Sequence, residues 1–316
     1  MVVNDAEQLL LQAKQANRVA LAKLLSIVER GGQPARELAR LVWSLGGSTY
    51  VVGITGAPGA GKSSLTDRLI SQVRNRLLEV AVVAIDPTSP FSGGAILGDR
   101  VRMQEHATDN GVFIRSMATR GHLGGLALAV PDAIRVLAAV QFPYVFIETV
   151  GVGQVEVEIV GAADTTAVVI NPGWGDAIQA NKAGLLEIAD LFIINKADRE
   201  GSRETRRDIE LMLEMSSFKG WIPPIVETVA TEGKGIDEVF QAIESHHEYL
   251  GRSGEGEKRR QARILEELNH VVQAEITRKV SDLISEPSFA ERKAELIGGE
   301  IDPYSLALEL LKFAVD

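Results

Sequence analysis

The sequence predicts an α/β fold: a doubly wound, mostly parallel sheet with helices added before it and a helical arm after it. Three observations predict this. Apolar runs rich in Val and Ile, many without polar alternation, recur at 50–55, 80–85, 111–115, 144–148, 166–170, 190–195 and 224–228, as strands covered on both faces do. Helical spacing fills the intervals between them, and such alternation builds a parallel sheet. The first strand also runs straight into Gly56-Ala57-Pro58-Gly59-Ala60-Gly61-Lys62-Ser63 and a helix-competent segment from Ser64 to Leu78. That is the strand, G-x-x-x-x-G-K-S, helix order of a phosphate-binding loop. In such sheets the ligand lies at the carboxyl ends of the strands.

Residues 1–47 form a helical extension. Leu21, Leu24, Leu25 and Val28 fall at i, i+3, i+4 and i+7, with Asn17 placed to cap and Gly31-Gly32 placed to stop. Pro34 opens a second helix with Leu38, Leu41 and Val42 on one side. Packing is the expected role of this layer, with partner contact the alternative. The nucleotide domain spans 48–250, and its helices cover Leu65 to Leu78, Pro131 to Val140, Gln179 to Glu187 and Ser202 to Met215. GRSGEG at 251–256 is a glycine-rich polar break. The arm 251–316 carries Leu265, Leu268, Val272, Ile276, Val280 and Leu283 as one apolar stripe; Pro287 interrupts it, and Asp302-Pro303 caps and begins a last helix. Such an arm has no deep core of its own and either folds back or pairs with a second copy; pairing is expected.

Composition sets further bounds. Of 316 residues, 45% are hydrophobic and 24% charged, which suits an ordinary globular core. A net charge of −10 speaks against nucleic acid or acidic membrane surfaces as general partners. With no cysteine, disulfides and Cys-ligated metal sites are excluded. No run reaches the ~20 apolar residues of a membrane span, and MVVNDAEQ has no signal pattern. A cytoplasmic location is expected.

The chemistry follows from residue types at strand ends. The glycines let backbone N–H groups close around an anion, and the helix N-terminus adds positive potential. The cradle runs Gly56, Ala57, Pro58, Gly59, Ala60, Gly61, Lys62, Ser63, Ser64. Lys62 is expected on the β- and γ-phosphates and Ser63 on Mg²⁺. Asp86 and Asp99 are candidate carboxylates for the same metal or its waters. Glu148, in Glu148-Thr149-Val150-Gly151, is a third, reaching through a bound water, with the Gly151 N–H offered to a γ-phosphate so that the loop senses GTP against GDP. Downstream, Asn195-Lys196-Ala197-Asp198 follows an apolar strand; a carboxylate at 198 can accept both N1–H and N2–H₂ of guanine, and adenine offers no such pair. Val229-Ala230 is the candidate second base loop, through the Ala230 N–H.

At this point the chain resembles a family. GAPGAGKSS, AIDPTSPFSGGAILGDRVRM, ATRGHLGGL, ETVGVGQVEVEI, NPGWGDAIQANKAGLLEIAD and NKAD together are similar to the methylmalonyl-CoA-mutase-associated GTPases of MeaB/ArgK type, P-loop GTPases with Glu in the third motif. The likeness runs from about Val19 to Phe240. It implies a GTP-hydrolysing chaperone that binds a cobalamin-dependent acyl-CoA mutase, gating adenosylcobalamin loading and the release of damaged cofactor. By that likeness Lys62, Ser63, Asp86, Asp99 and Glu148 form the phosphate–Mg²⁺ site, and Asn195, Lys196 and Asp198 the base site. Asn171 to Lys182, with Asp176, Gln179 and Lys182, matches an additional switch facing the mutase; on spacing alone Gly173-Trp174-Gly175 is a flexible turn. The family implies a homodimer joined by the C-terminal helices, in line with the apolar stripe. Val229 departs from the pattern, where a small hydroxyl residue is commoner. Gln154, Arg102, Arg120 and Lys182 are candidates for placing the attacking water or supplying late positive charge. Two alternatives stand beside this reading: a nucleotide-dependent kinase or ATPase linked to arginine/ornithine transport, and a metallochaperone GTPase. The five scattered histidines, His106, His122, His246, His247 and His270, give the second little support.

Overall fold

The computed structural model describes residues 3–46, 48–86, 103–106, 108–118, 123–149, 161–173, 188–216 and 220–315. The chain divides into two compact units, Met1–Arg260 and Gln261–Asp316.

In the first unit, seven parallel strands stand in the order β3-β2-β4-β1-β5-β6-β7. They are β1 Tyr50–Gly56, β2 Val80–Asp86, β3 Val112–Ala118, β4 Tyr144–Thr149, β5 Thr165–Ile170, β6 Leu191–Asn195 and β7 Ile225–Thr228. All seven predicted strands are present, offset by a residue or more at several ends. Successive side chains point to opposite faces, and both faces are covered. On one, Val52 and Ile54 of β1 and Phe146 of β4 pack with Leu65, Leu69 and Ile70 of α4 (Lys62–Asn75) and Val239 and Phe240 of α7 (Ile236–Ser253). On the other, Val51, Val83 and Ile147 meet Leu21, Leu24 and Leu25 of α2 (Arg18–Arg30), Leu38 of α3 (Gly32–Trp43) and Leu137 of α5 (Leu123–Ala139). α1 (Val3–Lys14) joins that layer, and α6 (Ser202–Glu214) covers β5 and β6 beside it through Ile209 and Met212. The N-terminal layer is therefore packed core. Asn17 caps α2 as expected, its Oδ1 accepting the N–H groups of Val19 and Ala20 at 3.1 Å.

Three helical expectations change. α4 begins at Lys62, not Leu65, because Gly61, at φ 93, turns the loop directly into the helix. Pro131 lies inside α5 instead of opening it, and the helix starts eight residues earlier, at Leu123; the ring removes one backbone bond, which flanking apolar packing offsets. The break at 251–256 narrows to one residue: α7 runs on to Ser253, Gly254 takes φ 72, and α8 (Glu255–Ser285) begins at once. The predicted helix at 179–187 falls outside the described residues.

In the second unit, α8 continues to Ser285, a turn at Pro287–Phe289 follows, and then α9 (Ala290–Gly298) and α10 (Pro303–Val315). Asp302 caps α10, accepting from the Tyr304 and Ser305 N–H groups at 2.9 and 3.0 Å. Arg292 of α9 bonds Glu309 of α10 at 2.6 Å. No residue of α8 is buried, and Ile264, Leu265, Leu268, Val271 and Val272 lie exposed along it.

Candidate nucleotide site

The carboxyl ends of β1, β4, β6 and β7 gather the described site residues. β1 ends at Gly56, whose φ of 136 only glycine adopts readily; a Cβ there would lie 2.0 Å from the Val169 carbonyl oxygen of β5. Gly61 is equally constrained, since its Cβ would meet Asn195 Nδ2 at 2.2 Å. Between them the loop folds back, with the Ala60 N–H on the Ala57 carbonyl at 3.1 Å. Lys62 lies over this loop, its Nζ donating to the Gly56 and Ala57 carbonyls at 2.6 and 2.9 Å. A phosphate entering the cradle offers Nζ stronger, charged acceptors in place of those carbonyls.

Glu148 stands on β4 opposite Ile54 of β1, which brings it across to the first turn of α4. Ser63 Oγ donates to Glu148 Oε1 at 2.5 Å, and both side chains are buried, at 5% and 3% exposure. A hydroxyl and a carboxylate converging at a helix N-terminus are hard oxygen donors, the set that suits Mg²⁺. Thr149 Oγ1 bonds Thr55 Oγ1 at 3.1 Å and braces the same strand pair. Asp86 ends β2, beside β4, so its backbone lies on this rim. Its side chain lies outside the described residues, as do Asp99, Arg102, Arg120, His122, Gly151, Gln154, Asp176, Gln179 and Lys182.

The base side is built on Asn195. Its Nδ2 donates to the Ala60 carbonyl at 2.8 Å, and its Oδ1 accepts from Thr228 Oγ1 at 3.0 Å and from the Ala230 N–H at 3.1 Å. One buried amide thus joins the phosphate loop, the end of β6 and the loop after β7. Lys196 takes φ 60 and sends Nζ to the Gly59 carbonyl at 2.6 Å, so its stem lies along the phosphate loop. Asp198 is exposed beyond it, in a turn held by the Ala197 N–H on the Thr228 carbonyl. Val229 and Lys234 pair as an antiparallel bridge, which shapes the second loop without any side-chain hydroxyl at 229. The Ala230 N–H, expected on guanine, is here spent on Asn195.

Thr228 escaped the sequence reading, because a Thr in a strand end looks like β-propensity alone. Of the adjacent pair His246-His247, the first is internal and the second is exposed. His246 is fully buried with Nδ1 2.6 Å from Thr165 Oγ1, and burial pushes its pKa down to about 3; His247 stacks on Tyr50 at 3.9 Å.

A parallel sheet carrying this loop, with Asn195-Lys196-Ala197-Asp198 locked to it, defines a P-loop GTPase. The comparisons agree and go further. The chain matches, over residues 21–284, the family described as methylmalonyl-CoA mutase-associated GTPase MeaB, and it belongs to that family. A Pyrococcus abyssi relative carrying a GTPase name is 52% identical, over 97% of this chain and 96% of its own length. A fused isobutyryl-CoA mutase of Cupriavidus metallidurans is 41% identical over 197 residues, 61% of this chain and 18% of that protein. A crystal structure of a LAO/AO transport system kinase superposes with a TM-score of 0.72 at 25% identity, covering 100% of this chain and 99% of its own.

Proposed function

We propose that this GTPase is a nucleotide-switched chaperone of a cobalamin-dependent acyl-CoA mutase, which gates adenosylcobalamin loading and reactivation in the cytoplasm. One observation carries the partner class: a protein named as a mutase contains, within its own chain, a region 41% identical to 197 residues of this one. The family description points the same way.

The chemistry is positioning and charge stabilisation. Lys62 leaves the Gly56 and Ala57 carbonyls for the β- and γ-phosphates. Ser63 and Glu148, with Asp86 and Asp99 from the neighbouring loops, would hold Mg²⁺, which when bound neutralises phosphate charge. Because Glu148 already engages Ser63, entry of nucleotide breaks that bond and moves the end of β4, so the Glu148–Gly151 loop reports which nucleotide is bound. Gln154, Arg102, Arg120 and Lys182 are the groups proposed to place the water or to add charge late, on docking. Asp198 selects guanine. The exposed stripe from Ile264 to Val272 supports a homodimer through the C-terminal helices.

Single-turnover GTP hydrolysis with and without the host's mutase tests this. Acceleration by the mutase is expected, and equal rates would defeat the proposal. The transport-kinase name of the structural relative raises the second reading, and calorimetric competition of GDP against ADP separates the two: equal affinity would remove the guanine assignment.

A further inference from the structure

The helix that leaves the phosphate loop also holds the base loop. Arg68 and Gln72 of α4 and Arg76, which caps its C-terminus, are spaced i, i+4, i+8 and lie along one side of the helix. Arg68 donates from Nε to the Ala230 carbonyl at 3.1 Å and from Nη2 to the Thr231 carbonyl at 3.4 Å. Gln72 Nε2 reaches Asp237 Oδ1 at 2.5 Å, in the first turn of α7, and the Arg76 guanidinium sits 4.1 Å from the centre of the Phe240 ring. Ala230 is consequently held at both polar ends, its N–H by Asn195 and its C=O by Arg68. The circuit closes: Ala60 to Asn195, Asn195 to Ala230, Ala230 to Arg68, and Arg68 back along α4 to the phosphate loop.

We infer that Arg68 is a positioning residue for the nucleotide base, acting through the backbone of the Ala230–Thr231 turn. The planar guanidinium presents two N–H donors in fixed relation, so it sets the spacing of two successive carbonyls in a way that one ammonium does not. Its Nε and Nη2 bonds both go to the turn after β7, and neither goes to the phosphate loop. Its effect therefore falls on the base half of the ligand. The inference rests on the guanine reading of Asp198, and the test keeps the two apart.

The full chain is titrated calorimetrically with GDP and with inorganic tripolyphosphate, each with magnesium. Arg68→Ala should lower GDP affinity about five- to tenfold, the low end for a charge-assisted hydrogen bond because the side chain is half-exposed. Tripolyphosphate affinity should stay within about twofold, and Arg68→Lys should recover part of the GDP loss. A merely structural residue would weaken both ligands alike. Equal loss for both, or GDP affinity within about twofold of wild type, overturns the inference. If Arg68→Ala does not fold, Arg68→Lys and Arg68→Gln carry the same comparison of ligands. Asp198→Asn forms the separate arm. Unchanged GDP affinity there would sink the base-site reading itself, whereas loss there beside an unaffected Arg68→Ala would sink only the role of Arg68.

Discussion

Truncating Asn195 to Ala removes three buried hydrogen bonds at the joint between phosphate side and base side. Those bonds, to the Ala60 carbonyl, the Thr228 hydroxyl and the Ala230 N–H, measure 2.8, 3.0 and 3.1 Å around a side chain 2% exposed. At roughly 1 kcal/mol net for each, the nucleotide-free protein should lose about 3 kcal/mol. For a unit of this size, about 2–4 °C of midpoint per kcal/mol makes that a fall of roughly 6–12 °C. Thr228→Val removes one bond of the three and should cost about 1 kcal/mol. Urea and thermal unfolding without nucleotide measure both. GDP binding should also weaken in Asn195→Ala, since the loops it joins contact opposite ends of the ligand. An Asn195→Ala protein as stable as wild type would refute the joint. So would a Thr228→Val protein destabilised as much as Asn195→Ala, because the amide would then not be the shared centre.

Lys62→Ala should abolish GTP hydrolysis, measured as phosphate release, with the folded protein retained; normal turnover would mean the site lies elsewhere. His246 gives a pH prediction. Its folded pKa, about 3, lies below the unfolded value near 6.5, so the unfolded chain binds the extra proton as pH falls. Stability from this group is full above 6.5 and declines on acidification by up to about 1.4 kcal/mol per pH unit. His246→Gln should flatten the dependence of unfolding free energy between pH 6.5 and 5; the buried carboxyl of Asp190, raised by desolvation, contributes a slope of opposite sign, so the comparison is made as the difference between wild type and variant. An unchanged slope would show that His246 does not titrate on unfolding. On α8, Leu265→Glu with Leu268→Glu should dissociate the proposed dimer in light scattering while leaving the unfolding of the first unit unmoved; a persisting dimer places that interface elsewhere.

The strands were legible because burial on both faces demands what the residues declare: Val80 to Ile85 and Leu191 to Ile194 are unbroken apolar runs, fully enclosed. The phosphate loop was legible for a different reason. Gly56 and Gly61 sit where a Cβ would strike Val169 or Asn195, so the backbone path itself dictates residue type. What the chain order hides is pairing across the sheet. Glu148 could be read as a strand-end acid, but its bond to Ser63 exists only because β4 is inserted between β2 and β1, an order that no local pattern encodes. Contacts to backbone carbonyls are hidden more deeply still, since a carbonyl is the same at every position. Arg68 reads like any solvated helix arginine, and Ala230, though legible as a base-loop residue, gives no sign that its N–H goes to Asn195 and its carbonyl to Arg68. Both matter through main-chain atoms, which is also why the base loop tolerates Val229 where a hydroxyl is commoner: the Thr228 side chain and two backbone bonds with Lys234 already fix its course. In this site the phosphate half is specified by side-chain absence and the base half by main-chain geometry, so sequence reading is strongest where glycine is obligatory and weakest where a carbonyl does the binding.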